Sequence, residues 1–201
     1  MAKQEIVVAS KNKGKIKEIA EYFSHLPVTV LALDQCGDFG EVAEDGATFL
    51  ANATKKAVEY AKQTKKFCLA DDSGLEVDAL QLAPGVYSAR YAGEQATDAQ
   101  NNEKLLHALK GVPEEARTGR FRCSLVLAGP DGEVLLTADG VCEGLILQAP
   151  QGSGGFGYDP LFFVPELGKT LSEVSIEEKN QLSHRGLALK EMAHKLAAMF
   201  P

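Results

Sequence analysis

Residues able to bind phosphate lie between the first predicted strand and the first predicted helix. Hydroxyl, amide and ammonium donors beside the backbone N–H groups of a helix N-terminus form an anion site, and a polyphosphate is its natural occupant. The segment is not a Walker loop, because G-x-x-x-x-G-K-[ST] is absent. A solvated, lysine-rich helix start is the alternative interpretation. The residues of this segment are Ser10, Lys11, Asn12, Lys13, Gly14 and Lys15.

Two consecutive carboxylates, Asp71 and Asp72, follow a buried strand predicted for residues 67–70. Carboxylates at a strand end suit Mg²⁺, which keeps most of its waters and takes one or two protein oxygens beside substrate phosphates. Successive strand residues point to opposite faces, so parity alone does not choose between the two for the metal. An ordinary acidic turn is the alternative, since Asp and Gly are common turn residues.

Further polar residues lie near the helix that Thr48 is predicted to cap. Glu44 precedes this helix and would add a metal carboxylate. Asn52 and Lys56 lie one turn apart on it and therefore share a face. Taken alone, each of these residues is more typical of a polar protein surface than of a site.

The glycine-rich segment 152–157 matches G-x-G-x-x-G literally, but it leads into a predicted strand at residues 161–164. A dinucleotide fingerprint must instead open a helix, so its context rejects that interpretation. A flexible glycine loop carrying Phe156 and Asp159 suits a base pocket, with a ring for stacking and a carboxylate that accepts N–H groups. Near the start of the last predicted helix, Lys179, His184 and Arg185 form a group of donors, or else ordinary charges on a helix surface.

Composition excludes several classes of protein and partner. The 201 residues carry 21 Lys and Arg against 28 Asp and Glu, a net charge of −7, which argues against non-specific binding of nucleic acid or anionic membranes. The apolar runs are shorter than the roughly 18 residues of a membrane helix, and no export signal is found. The four cysteines form no C-x-x-C pair, so a reducing, cytoplasmic compartment is expected.

The elements that must position these residues alternate between strand and helix, which predicts a mixed α/β fold. Strands are predicted at residues 5–9, 28–33, 67–70, 75–79, 120–127, 134–138 and 161–164, with a helix whose apolar face is formed by Ile16, Ile19, Ala20 and Phe23 and further helices after residues 48, 97, 175 and 183. Capping boxes at Thr97 and Ser175, and Ser183 as a cap of the last helix, support the helix starts. Residues 71–74 are predicted to form a tight corner that interrupts a strand. No linker or repeat marks a domain boundary.

Five of these segments in order resemble the inosine triphosphate pyrophosphatase family over nearly the whole chain. They are residues 10–15, 71–74, 84–91 (PGVYSARY), 154–160 and 183–186. The resemblance implies an α/β fold with an elongated mixed sheet flanked by helices, a single domain of residues 1–201 with two lobes and the nucleotide in the cleft between them, and a homodimer. It also implies Mg²⁺-dependent hydrolysis of non-standard purine nucleoside triphosphates, namely ITP, dITP and XTP, to the monophosphate and pyrophosphate, which cleanses the nucleotide pool.

Residue roles follow from the same resemblance. It implies that Glu44 and Asp72 hold Mg²⁺ and that Asp72 is also the proton acceptor. Ser73 would contact the nucleotide. The triphosphate would lie on Ser10, Asn12, Lys15 and Lys56, with Lys11, Lys13 and Gly14 belonging to the same segment; the base would lie among Phe156, Gly157, Tyr158, Asp159, Lys179, His184 and Arg185. The side chains of Lys11 and Lys13 are expected to point to solvent.

Two other functions are compatible with these residues. A nucleotide-sensing module would bind Mg²⁺-nucleotide without turnover, although the pair Asp72 and Ser73 counts against it. A related pyrophosphatase acting on modified pyrimidine triphosphates would be distinguished by a panel of substrates.

Overall fold

A computed structural model describes residues 3–201, which divide into two compact units. The first is formed by the described residues up to Asp72, by Cys123–Gly140 and by Leu187–Pro201. The second is formed by Ser73–Arg122 and Val141–Gly186. Within residues 3–201 no helix is both long and apolar enough to cross a membrane.

Seven strands form one sheet in the order β2-β1-β3-β4-β5-β6-β7, with β1 parallel to β2 and β3, and β6 antiparallel to β5 and β7. The mixed α/β prediction is therefore confirmed. The strands are β1 (Gln4–Val8), β2 (Val28–Ala32), β3 (Phe67–Val77), β4 (Thr118–Ala128), β5 (Val134–Ile146), β6 (Phe162–Val164) and β7 (Lys169–Thr170). The helices are α1 (Lys13–Tyr22), α2 (Phe49–Thr64), α3 (Asp98–Ala108), α4 (Ile176–Leu182) and α5 (His184–Met199).

In the first unit the sheet is buried on both faces, because alternate residues of β1 enter different cores. Ile6 and Val8 pack with apolar residues of α1 and α5, whereas Val7 packs with those of α2. Strands buried on both sides read as continuous apolar runs, which explains the Ile-Val-Val sequence of β1. The second unit has its own core, in which Leu105 and Leu109 meet Phe162 and Leu171.

Helix starts follow the sequence closely. The hydroxyl of Thr48 accepts the backbone N–H of Ala51. Capping boxes are present at Thr97 and Ser175. Ser183 Oγ accepts the N–H of Gly186 at 3.1 Å, as expected for a cap of α5.

The predicted corner at residues 71–74 is wrong. β3 runs without interruption from Phe67 to Val77, and both carboxylates lie within it, buried. The strand also ends at Val77 rather than at residue 79, because Asp78–Leu80 forms a 3-10 turn. Asp71 and Asp72 are tolerated in the strand because their side chains have hydrogen-bonding partners in the first unit, Lys15 and Asn52.

Candidate functional site

Parallel pairing of β1 and β3 brings the lysine-rich residues 10–15 and the acidic pair Asp71 and Asp72 to the same edge of the sheet. Val8 of β1 lies opposite Leu69 of β3, and the N–H of Ala9 donates to the Leu69 carbonyl at 2.8 Å. The chain then leaves β1 toward α1, while β3 continues through Asp71 and Asp72. Ligands of open α/β sheets bind at this carboxyl edge of the parallel strands.

The loop before α1 is organised by Asn12. Its Oδ1 accepts the backbone N–H groups of Gly14 at 2.9 Å and Lys15 at 3.1 Å, and its own N–H donates to Ser10 Oγ at 3.1 Å. Two of the N–H groups that the sequence suggested for phosphate are therefore used by the cap. Lys15 Nζ donates to the buried carboxylate of Asp71 at 2.9 Å.

Lys56 lies at the centre of a compact cluster of charges. Its Nζ donates to Glu44 Oε1 at 2.5 Å and to the carbonyl of Asp71 at 2.8 Å, and lies 3.7 Å from Asp72 Oδ1. Burial lowers the pKa of Lys56, but attraction to Asp71, Asp72 and Glu44 outweighs burial and raises it. Lys56 is therefore a cation held among carboxylates.

Asn52, one turn before Lys56 on α2, is fully buried and orients the second carboxylate. Its Nδ2 donates to Asp72 Oδ2 at 3.0 Å, and its Oδ1 accepts the N–H of Gly46 at 2.7 Å. The same amide thus joins Asp72 to the segment that follows Glu44.

Burial raises the pKa of Asp72 to about 6. The positive charge of Lys56 and the hydrogen bond from Asn52 act in the opposite direction, while the charges of Glu44 and Asp71 add to the rise. A bound divalent cation would lower this pKa.

The donor set of this cluster fits Mg²⁺. Glu44 and Asp72 place carboxylate oxygens around the single position of Lys56 Nζ, at 2.5 and 3.7 Å. No group of three or more His, Cys, Asp or Glu able to hold a metal occurs within residues 3–201. Two carboxylates are nevertheless what Mg²⁺ uses when waters and substrate phosphates supply the remaining ligands.

Three residues near these segments face elsewhere. Lys11 Nζ donates to the exposed Glu41 at 3.3 Å, and Lys13 is exposed at the start of α1. Asp45, next to Glu44, pairs with Lys55 at 2.7 Å. The structure therefore brings Lys15, Lys56, Glu44, Asp71 and Asp72 together, and does not add Lys11 to them.

In the second unit, Phe156 presents a half-exposed ring with cations beside it. Lys179 Nζ lies 4.8 Å and Arg185 Cζ 5.9 Å from the ring centroid. Asp159 Oδ2 accepts from Lys179 Nζ at 2.5 Å and from the N–H of Phe156 at 2.9 Å. A Cβ at Gly155 would overlap the carboxylate of Asp159, which explains the glycine there.

The start of α5 carries the other predicted base-binding residues. Arg185 Nη2 donates to Ser73 Oγ at 3.3 Å. The buried ring of His184 stacks on Phe121, with centroids 4.8 Å apart. The sequence grouped His184 with Arg185 as clustered donors, and the structure adds this aromatic partner.

Tyr158 and Gly157 are held by other parts of the second unit. Tyr158 is buried, its hydroxyl donates to the Ser88 carbonyl at 2.7 Å, and burial raises its pKa. Gly157 donates its N–H to Asp98 Oδ2 and accepts from Asn102 Nδ2, both at 2.8 Å. Tyr158 thus anchors the glycine loop rather than presenting its hydroxyl to solvent.

Sequence reasoning gave no role to Asn52, Asp98 or Asn102. A signal was present for Asn52, a polar residue among the apolar positions of α2 and one turn from Lys56. Asp98 and Asn102 gave no signal, because their partner Gly157 lies more than 50 positions away in the chain.

The fold and these two groups of residues define a mixed α/β protein with the residue types of a nucleotide site: cations and carboxylates for phosphates and metal, and a ring with polar groups for a base. The chain belongs to the Ham1 family, whose model matches residues 6–195. It is 52% identical over 195 residues to the dITP/XTP pyrophosphatase of Desulforamulus reducens, covering 97% of this chain and 96% of that protein.

A second relative and a solved structure are similar to this chain over nearly its full length. The dITP/XTP pyrophosphatase of Geobacter sulfurreducens is 55% identical over 184 residues, 92% of each chain. The structure of a HAM1 protein from Coxiella burnetii superimposes with a TM-score of 0.91 at 41% identity, covering 97% of this chain and 99% of that one.

Proposed function

We propose that this protein hydrolyses the triphosphates of inosine, deoxyinosine and xanthosine to the nucleoside monophosphate and pyrophosphate. The observation that carries the proposal is the cluster of Lys15, Lys56, Glu44, Asp71 and Asp72 at the carboxyl edge of parallel strands. The cluster supplies cations that can bind a polyphosphate. Beside them lie carboxylates that can hold a metal ion and accept a proton from water. Relatives named dITP/XTP pyrophosphatase, about half identical over nearly the full chain, support the substrate class.

In this proposal Lys15 and Lys56 bind the triphosphate, exchanging part of their pairing with Asp71 and Glu44 for phosphate oxygens. Ser10 and Asn12 contribute polar contacts from the loop before α1. Asp72 accepts a proton from the water that attacks the α-phosphorus, and pyrophosphate leaves in line. Asn52 donates its amide N–H to Asp72 Oδ2 and so orients the carboxylate, whose Oδ1 faces Lys56. Catalysis then rests on positioning and electrostatics, without a covalent intermediate.

Mg²⁺ is proposed as the cofactor, held by Glu44 and Asp72. When bound, it neutralises phosphate charge and polarises the bond that breaks. The support for this assignment is the pair of carboxylates around one position and the charge of the substrate, which two lysines alone do not balance.

The base is proposed to bind at Phe156. Its exposed ring offers a stacking surface, while Lys179, Arg185 and Asp159 supply donors and an acceptor at its edge. Hypoxanthine and xanthine present a 6-oxo acceptor, whereas adenine presents a 6-amino donor. Donors such as Lys179 and Arg185 that face position 6 of the base therefore favour ITP and XTP over ATP.

Product analysis tests the proposal. ITP with Mg²⁺ is expected to yield IMP and pyrophosphate in equal amounts, measured by chromatography and a pyrophosphate assay. IDP and orthophosphate as primary products would assign the protein to another class of hydrolase. Saturable binding with no product would favour a nucleotide-sensing module, and a preference for modified pyrimidine triphosphates in the same panel would favour the related pyrophosphatase.

A homodimer acting in the cytoplasm is also proposed. Its support is the family resemblance. Light scattering coupled to gel filtration is expected to give twice the mass of one 21.5 kDa chain.

A further inference from the structure

Helix α3 holds the glycine loop at a single peptide segment. Asp98 and Asn102 lie four residues apart, on the same face of α3. The Asp98 carboxylate accepts the N–H of Gly157, and the Asn102 amide donates to the carbonyl of the same residue, each at 2.8 Å. Both hydrogen-bonding groups of Gly157 are thus bound by one helix.

Gly157 is a position where the loop needs such support. Its φ is +60°, and a Cβ there would meet nothing within 4 Å, so packing does not hold it. Glycine also has more freedom in φ and ψ than any other residue. The residue before it carries the exposed ring of Phe156, whose backbone N–H binds Asp159. The direction of that ring therefore depends on the conformation at Gly157.

The supporting helix is itself fixed. Asn101 Nδ2 donates to the carbonyl of Ala89 at 3.1 Å, and Asn101 Oδ1 accepts the N–H of Ala92 at 2.8 Å. Leu105 is fully buried in the core of the second unit. The amide of Asn102 donates to the loop through its Nδ2, while its Oδ1 is buried without a hydrogen-bond partner among residues 3–201.

We propose that Asp98 and Asn102 are positioning residues that hold Phe156 and Asp159 in the arrangement that recognises the purine base. This inference rests on the proposed function, because it assumes that the base binds at Phe156. Neither residue touches the base in this proposal; both act through Gly157. Their contribution is therefore to the discrimination between bases rather than to the grip on phosphates.

Isosteric variants separate this role from simple packing. Asn102→Asp keeps the shape of the side chain but replaces the donating amide with a carboxylate that faces the Gly157 carbonyl. Asp98→Ala removes the acceptor, whereas Asp98→Asn restores an acceptor oxygen. Glu103→Gln, at an exposed position of the same helix, is the control.

Two binding probes and one ratio are measured on each variant. We expect Asn102→Asp and Asp98→Ala to weaken IMP binding and lower the ITP-to-ATP ratio of kcat/KM by about tenfold, the effect of losing one or two hydrogen bonds. Inorganic tripolyphosphate should bind as tightly as before. Asp98→Asn should recover most of the ratio, and Glu103→Gln should leave all three quantities unchanged. Equal losses for tripolyphosphate and IMP, or an unchanged ITP-to-ATP ratio, would overturn the proposal.

Hydrogen–deuterium exchange provides a readout that does not depend on turnover. The peptide covering residues 152–160 should exchange faster in Asn102→Asp and Asp98→Ala, while peptides of α5 remain as protected as in the unsubstituted protein. Unchanged exchange in this peptide would show that α3 does not hold the loop. If the loop is loosened but ITP is never cleaved even by the unsubstituted protein, the proposed function fails, and IMP binding still decides whether α3 positions a base site.

Discussion

Asp71 and Asp72 are neighbours in the chain, yet they have different partners. Asp71 binds Lys15 through its side chain, whereas Asp72 receives the amide of Asn52 and faces the ammonium of Lys56. Alternation along a strand separates the two side chains, and each then meets its own cation. The charge balance of the cluster is three carboxylates, counting Glu44, against two lysines, a net of −1 that suits an added divalent cation.

Asp72→Asn keeps the shape of the side chain and removes its charge. We expect kcat for ITP to fall roughly 10²-fold to 10⁴-fold, the usual contribution of a general base, with a weaker apparent affinity for Mg²⁺. Steady-state kinetics at several Mg²⁺ concentrations measures both effects. Asp71→Asn should be milder, since it loosens only Lys15, and the exposed Asp45→Asn serves as control. Near-normal turnover of the Asp72 variant at saturating Mg²⁺ would remove Asp72 from catalysis.

Arg185 is expected to act in base selectivity. Its guanidinium donates to Ser73 and lies near the ring of Phe156. Arg185→Ala should therefore lower kcat/KM for ITP far more than for ATP, by a factor that reaches roughly 10⁴ only where the donor is fully buried. Comparing both substrates on both proteins measures this factor. A constant ITP-to-ATP ratio would argue against the assignment.

Among the helices and strands, the helix starts could be predicted from neighbouring residues in the sequence. The uninterrupted course of β3 through residues 71–74 could not. A cap needs only residues three apart, so Thr48, Thr97 and Ser175 reveal it in the sequence. The continuity of β3 depends on partners far along the chain: Lys15 lies 56 positions from Asp71. A polar Asp-Asp-Ser-Gly run therefore resembles a turn until those partners are known.

The same distinction holds for the candidate site. Residue types and order indicated most of its members, because lysines, carboxylates and a glycine loop have chemistry of their own. Asp98 and Asn102 could not be found in this way, since an acidic first-turn residue and a half-buried amide are ordinary on any helix. Their role comes from a contact with the backbone of Gly157, and a backbone contact leaves no trace in residue type.

The cap of α2 provides a test at this scale. Thr48→Ala should lower the free energy of unfolding by about 1 kcal/mol, because Ala cannot accept the N–H of Ala51. Urea denaturation measures the change, and Thr48→Ser, which keeps the hydroxyl, should show little of it. An equal loss in both variants would indicate that the methyl group, and not the cap, is responsible.

For the whole molecule, burial controls the reactivity of the thiols. Burial raises the pKa of Cys68 to about 12 and that of Cys142 to about 11, while Cys123 is almost completely buried. Cys36 is partly exposed. Because the thiolate is the reactive form, an aromatic disulfide reagent at pH 8 should label one thiol per chain quickly and the other three only after unfolding. Rapid labelling of Cys142 would reveal opening of the second unit under native conditions.

The route of the chain between the two units has a consequence for how such proteins can be recombined. The chain passes from one unit to the other after Asp72, Arg122, Gly140 and Gly186, so each unit is assembled from separate stretches of the gene. A single crossover between the genes of two related proteins would therefore produce a unit with one part from each parent protein. Grafting the second unit of a relative onto this protein therefore requires two inserts, residues 73–122 and 141–186, exchanged together. A change of base preference is more accessible to point substitutions than to shuffling of gene segments.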